Sequence, residues 1–235
     1  MKSIDRRLVW DLPLRLFHWL FAASIIACWG TAKLGFSYMQ WHIWLGYEVM
    51  GLLVFRLIWG FLGTRHARFT EFLKGPSAIV AYNRSLLGKA PPVHSVGHNP
   101  MGGLMVLLML MLVGLQVYSG LFSSDDIAWS GPYNGVVSGA MAQRLTGLHH
   151  ANFNFIWAAM GLHVAAILYY TFVKRERLVS AMVTGWKAHD LVPADQAIDN
   201  SALWRAAIAI AISAGAVSWI LAAAPAAPVA SNSFM

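Results

Sequence analysis

Five runs of about twenty apolar residues constrain this chain more than any other feature, because one helix needs about that length to cross a hydrocarbon core roughly 30 Å thick. They occupy roughly 12–30, 42–62, 101–122, 149–173 and 203–223. No water reaches backbone N–H and C=O groups inside hydrocarbon, so each span must satisfy them internally, as a helix does. The fold class that follows is an all-α integral membrane protein. Composition agrees: the chain is 58% hydrophobic and only 11% charged, where a soluble domain carries about 25% charged residues. It holds eleven Trp, a residue that collects at membrane interfaces. Cys28 is the one cysteine, so no internal disulfide exists and no redox compartment can be read from it.

The start of the chain has a second reading. MKSIDRRLVW followed by an apolar run ending in IIAC has the look of a secretory leader, even a lipoprotein one with Cys28 as acceptor. That run already contains Arg15 and His18, which a leader core avoids, and four further spans follow. The first span is therefore expected to be an uncleaved membrane helix. Asn99-Pro100 opens the third span with a capping side chain and a proline in the first turn.

The net charge of +7 is a topology signal once its positions are seen. Lys2, Arg6, Arg7 and Arg15 precede or open the first span. Arg65, Arg68, Lys74, Arg84 and Lys89 follow the second, and Lys174, Arg175, Arg177 and Lys187 follow the fourth. The other two loops hold only Lys33 and Arg144, beside Asp125 and Asp126. Positive charge gathers on the cytoplasmic side, so the N-terminus is expected inside and, with five spans, the C-terminus outside. The location that follows is a membrane crossed several times. Nucleic acid is not supported as a partner; membrane lipid is, and oligomer formation stays open. Within the first inner loop PSAIVAYNRSLLGK predicts a short amphipathic helix on the membrane surface. The outer loop SSDDIAWSGPYNGVVSGAMAQR reads either as a connector or as a docking surface for an extracytoplasmic partner.

Histidine is costly in hydrocarbon and is rare there unless it faces a protein interior. The fourth span nevertheless contains LHHANFNFIWAAMGLH, with His149, His150 and His163. At 100° per residue, His149 and His163 fall within about 40° of one face, separated by roughly 21 Å along the axis. His150 lies about 140° from His163 and shares that face poorly. His18 sits near the inner end of the first span and His42 near the outer end of the second. Depth pairs His42 with His149 outside and His18 with His163 inside, as in bundles that hold cofactors between facing helices.

Any one of these histidines is equally well read as a satisfied buried polar group; four at matched depths are harder to read that way. Zinc wants its ligands gathered at one point, which two distant pairs do not provide. Copper lacks the soft Cys and Met set. Haem fits best, with one axial imidazole on each face of the ring and small residues such as Gly46 and Gly161 leaving room for it. Arg56 lies fourteen residues after His42, so it falls on nearly the same face and about 21 Å deeper. It can pair with an anionic propionate of an inner haem or extend to the inner surface; both readings stand at this point.

Six segments, taken in order, carry a family resemblance: VWDLPLRLFHWL, WHIWLGY, FRLIWGFLGTRHARF, GHNPMGG, the LHH…GLH spacing and LVSAMVTGWKAH. Together they resemble the bacterial cytochrome b561 and nickel–iron hydrogenase cytochrome b subunits, over about residues 8–190. The resemblance implies a four-helix haem-binding bundle, here with an additional C-terminal transmembrane helix, in a bacterial cytoplasmic (inner) membrane with the C-terminus in the periplasm. It divides the chain into 1–190, the dihaem domain, and 191–235, a linker, fifth helix and short tail. It implies two haem b groups, with the family's ligands falling on His18, His42, His149 and His163. It also implies electron exchange between quinone, as a diffusible substrate, and an extracytoplasmic redox protein: a hydrogenase, a c-type cytochrome or a reductase. His150 stands where relatives often carry a charged residue, as a substitute ligand or a proton-handling group. Quinone chemistry moves protons, so His66, His98 and His150 are candidates for that work, although His98 in GHNP also reads as a residue that closes the turn into the third span. Two rivals remain. A stand-alone superoxide:quinone oxidoreductase needs a positive outer funnel, and the outer loops carry little positive charge. A non-redox anchor would use its histidines only structurally.

Overall fold

Asp11 begins the first membrane helix, and the reason is local. Its carboxylate accepts the Leu14 N–H at 2.7 Å, and Pro13 sits in the first turn where it costs no hydrogen bond. The computed structural model describes residues 6–91 and 93–225; Lys2 and the tail beyond 225 lie outside the described residues. A short strand, β1 (Arg6–Leu8), leads into α1 (Leu12–Leu34), which ends at Gly35 in a left-handed conformation, φ 86°. After one 3₁₀ turn comes α2 (Met39–Leu62). The first inner loop carries α3 (Phe69–Phe72) and α4 (Pro76–Leu86), the latter being the expected surface helix. Next is α5 (Pro100–Phe122), capped by Asn99, whose side chain accepts from the Gly102 N–H at 2.7 Å. The remaining elements are α6 (Gly139–Phe172), α7 (Leu178–Thr184), β2 (Trp186–Ala188) and α8 (Leu203–Ala222).

Five of these helices are long and apolar enough to cross a membrane. Large apolar side chains such as Phe61, Phe155, Leu162, Phe172 and Trp219 are exposed, which suits a lipid-facing surface. The fourth spanning helix starts at Gly139, ten residues before the expected start. Ser138 caps it and Gln143, Arg144 and Thr146 lie in its first turns. These residues are too polar for a hydropathy reading to include, yet helical geometry tolerates them where the helix projects from the bilayer. At 1.5 Å per residue the 34-residue helix is about 50 Å long.

Two helical hairpins form the frame: α1 packs along α2, and α5 along α6. The α1–α2 seam holds Leu14, Phe17, Phe21, Phe55 and Trp59, with Phe17 stacked on Phe21 at 4.9 Å and Phe55 on Trp59 at 5.7 Å. Among the described residues α6 has no extended packing against α1 or α2, although it faces both. The fifth helix packs against α2, burying Ala206, Ala209 and Ser213. Small side chains let two membrane helices approach closely; Val217 would lie 3.6 Å from a Cβ on Gly51. At the end that the charge distribution assigns to the outside, the Tyr133 hydroxyl donates to the Ile220 carbonyl at 2.6 Å, tying the long loop there to α8.

At the inner end β1 and β2 pair antiparallel, Arg7 opposite Lys187. Gly185, at φ 90°, ends α7 and accepts the Val9 and Trp10 N–H groups at 2.9 and 3.1 Å. A Cβ there would stand 2.7 Å from the Trp10 carbonyl oxygen, so both conformation and approach demand glycine.

Candidate functional site

The four membrane histidines meet as two pairs. At the outer end the rings of His42 on α2 and His149 on α6 have centroids 6.1 Å apart and planes at 85°. At the inner end His18 on α1 and His163 on α6 are 6.3 Å apart at 58°. These are the pairs expected from depth.

Hydrogen bonds orient the outer pair. A carbonyl only accepts, so the ring nitrogen facing it must carry the proton. His42 Nδ1–H therefore donates to the Cys28 carbonyl at 2.8 Å, and His149 Nδ1–H to the Gln116 carbonyl at 3.0 Å. Each ring keeps Nε2 as its free lone pair. Polar residues that the sequence reading missed surround His149. Gln116 Nε2 donates to the His149 carbonyl at 2.9 Å. Asn152, 2% exposed, donates to the Leu112 carbonyl at 2.9 Å and to Gln116 Oε1 at 2.8 Å. Ser119 Oγ lies 3.3 Å from His149 Nδ1. Their one visible signal was a side-chain amide within a membrane span, Gln116 in the third and Asn152 with Asn154 in the fourth. Gly120 lets α5 approach the imidazole: a Cβ there would be 3.0 Å from His149 Cε1. Among the described residues neither inner ring has a hydrogen-bond partner. His150 is exposed, its ring 6.3 Å from that of His149, and it takes no part in the pairing with His42.

Below the inner pair lies a buried polar cluster. Arg56 is 2% exposed, its guanidinium over the rings of Phe69 at 5.0 Å and Phe72 at 5.6 Å. Both Nη atoms are buried without a hydrogen-bond partner. The side chain therefore turns inward and does not extend to the inner surface. Asp11, fully buried, accepts from Leu14, from Trp59 Nε1 at 3.1 Å and from the Thr64 hydroxyl. His98 packs against Trp10 and Phe72, each at 4.8 Å, with Nδ1 buried and unpartnered. Burial, then the charge of Arg56, pushes His98 down to about 3, so it is neutral at physiological pH. His66 is bonded through Nε2 to the Gln196 carbonyl at 2.8 Å, and burial lowers its pKa. Lys187 donates to the Val96 carbonyl at 2.8 Å, and burial lowers its pKa too. The Asp-Leu-Pro sequence at 11–13 was a readable cap signal for Asp11; nothing local marked Lys187.

Among the described residues no three His, Cys, Asp or Glu side chains converge on a metal position, so the donors come as facing pairs. Their spacing tests the fit to haem. Two imidazoles that share one metal ion through nitrogens at about 2 Å each would have ring centres about 6 Å apart, and both pairs stand at that separation. The standoff of α6 from α1 and α2 suits a flat ring between them. Gly46, one turn after His42, presents no Cβ on that face, and a Cβ built there meets nothing within 4 Å. Gly161 is equally open but lies two residues from His163, so it sits across the helix from that ring. The unpartnered Arg56 and His98 nitrogens beside the inner pair suit anionic substituents.

The family profile of the prokaryotic cytochrome b561 matches residues 9–185. The chain belongs to that family. This cytochrome is similar to a probable Ni/Fe-hydrogenase B-type cytochrome subunit of Azotobacter vinelandii, 26% identical over 217 residues, covering 76% of this chain and 87% of the relative. The corresponding protein of Cupriavidus necator is 23% identical over 223 residues, with 79% and 88% covered. That of Rhizobium leguminosarum bv. viciae is 24% identical over 220 residues, with 78% and 90% covered. No solved structure matches. Family and spans together make this a multi-pass membrane cytochrome that carries haem b and transfers electrons.

Proposed function

We propose that this cytochrome carries two haem b groups and passes electrons across the membrane between the quinone pool and an extracytoplasmic redox protein. The observation that carries the reading is the double pairing of imidazoles at 6.1 and 6.3 Å on three helices. His42 and His149 would hold the outer haem, and His18 and His163 the inner one. Haem held by imidazole pairs would supply one-electron transfer. The protein's own share is orientation and electrostatics. Cys28 and Gln116 carbonyls lock the outer rings, leaving Nε2 of each as the donor that would bind the metal. Arg56, and with it the unpartnered nitrogen of His98, would hold an inner propionate. His66 and His150 are the proton-handling candidates for quinone chemistry; His98, held neutral, is a poor base. Residues 1–190 form the dihaem domain, and α8 in 191–235 braces α2.

The relatives are named as hydrogenase cytochrome subunits, which supports a hydrogenase as the redox partner, docking on the outer loop. The charge distribution supports an inside N-terminus and a periplasmic C-terminus. The test is pyridine haemochrome quantitation of purified protein with each ligand histidine replaced by alanine, monodispersity serving as the folding control. Wild type should hold two haems per chain. H42A and H149A should lose one common spectral component, and H18A and H163A the other. A replacement that leaves haem content unchanged would overturn the assignment. Rapid reduction by superoxide in stopped flow, without a partner, would move the function to the stand-alone oxidoreductase.

A further inference from the structure

The end of α2 and the start of α8 flank an open groove of about 260 Å³ far from any of the four histidines in sequence, lined by Phe61, Leu62, Gly63, Arg68, Trp204, Arg205 and Ile208. Its walls and its rim differ in chemistry. Phe61, Leu62, Trp204 and Ile208 are large apolar side chains that remain exposed. Arg68 and Arg205 are exposed guanidinium groups, and among the described residues neither pairs with a carboxylate; the ion pair in this region is Arg65 with Glu71 at 3.7 Å. The Arg205 guanidinium lies 5.3 Å from the Trp204 ring, an interfacial arrangement of cation and indole. Arg65 donates to the Asp195 carbonyl at 2.6 Å, so the turn that carries Arg68 is anchored to the linker before α8.

We propose that this groove is a binding site for one anionic phospholipid of the cytoplasmic leaflet, phosphatidylglycerol or a related phosphodiester. Guanidinium matches phosphate oxygens with a fork of donors, and the apolar walls below it accept the first carbons of the acyl chains. A basic pocket between membrane helices on the cytoplasmic side recognises such headgroups. A quinone head is uncharged and gains little from two guanidinium groups. The lipid bridges α2 to α8 and so seats the fifth helix on the bundle. The inference is independent of the haem ligand assignment.

The experiment uses the full-length purified cytochrome in mild detergent, delipidated and titrated with phosphatidylglycerol or phosphatidylcholine. Bound lipid is counted by native mass spectrometry, and quenching by brominated acyl chains is compared between wild type and W204F. One tightly held phosphatidylglycerol is expected, with quenching that W204F reduces. The R68Q/R205Q variant should bind it about thirtyfold more weakly, as each surface arginine contributes a factor of about five and the two factors multiply. The K74Q/R84Q variant, which removes two charges elsewhere on the same face, should bind as wild type does. Retained haem absorbance reports folding in every variant. Equal binding of phosphatidylcholine, no effect of R68Q/R205Q, or an equal loss in K74Q/R84Q would overturn the proposal. So would displacement of the lipid by inorganic phosphate, which marks a free-anion site, or by a short-chain quinone.

Discussion

Replacing Asp11 tests the packing logic of the inner end most directly. One carboxylate there serves three elements: it caps α1 through Leu14, holds Trp59 on α2 and holds Thr64 in the loop beyond. Asp11→Ala removes the cap, about 1 kcal/mol, and orphans two donors at about 1–3 kcal/mol each. Thr64 can rotate to another acceptor, whereas the Trp59 N–H is fully buried, so the expected loss is about 2–4 kcal/mol. Asp11→Asn keeps one oxygen where Leu14 and Trp59 donate, and its amide can donate to the Thr64 oxygen; its cost should stay below about 1 kcal/mol. The pH dependence has a definite sign. Burial raises the Asp11 pKa above its ordinary 3.8, against the hydrogen bonds from Thr64, Leu14 and Trp59 and the charge of Arg56. The folded state then keeps the proton longer than the unfolded state. Its contribution to stability is fully present below 3.8 and is lost as pH climbs through the folded pKa. Asp11→Asn should flatten that slope. The assay is denaturant or thermal unfolding in detergent at several pH values, followed by tryptophan fluorescence. An Asp11→Ala variant within about 1 kcal/mol of wild type, or an asparagine variant as damaged as the alanine one, would refute the reasoning.

Three further outcomes are expected. Gly120→Val should disturb only the outer pair, because the nearest atoms to its new Cβ belong to His149 at 3.0 and 3.2 Å; a spectrum altered equally at both sites would count against this geometry. Asn152→Leu should destabilise the protein by about 1–3 kcal/mol by leaving Gln116 Oε1 and the Leu112 carbonyl without their donor, and a thermal midpoint equal to wild type would contradict it. The outer pair should have the lower midpoint potential in a redox titration. Both its rings donate Nδ1–H to carbonyls, which makes them more basic ligands that favour ferric iron. The opposite order would show that burial and charge outweigh ligand basicity.

Much of this protein was legible before any tertiary structure. Apolar run length identified the spans, because each run reports its own solvent. Helical period and depth matched His42 with His149 and His18 with His163, because those are properties of single rigid helices crossing one slab. The reading was weakest where a residue's partner lies far along the chain. Arg56 had two readings, and Phe69 and Phe72 in the folded-back loop, together with the buried packing around it, decided for the inward one. The start of α6 was placed ten residues late, because hydropathy is silent about helix outside the bilayer.

The sequence by itself determined which five runs are long and apolar enough to cross a membrane and which histidines share a depth. Tertiary structure alone decided that α8 braces α2, that β1 closes on β2 across some 180 residues, and that Asp11 ties α1, Trp59 and Thr64 together. The physical reason is that hydropathy and period are set by each residue's immediate neighbours, whereas these contacts exist only once the packed helices bring remote segments together.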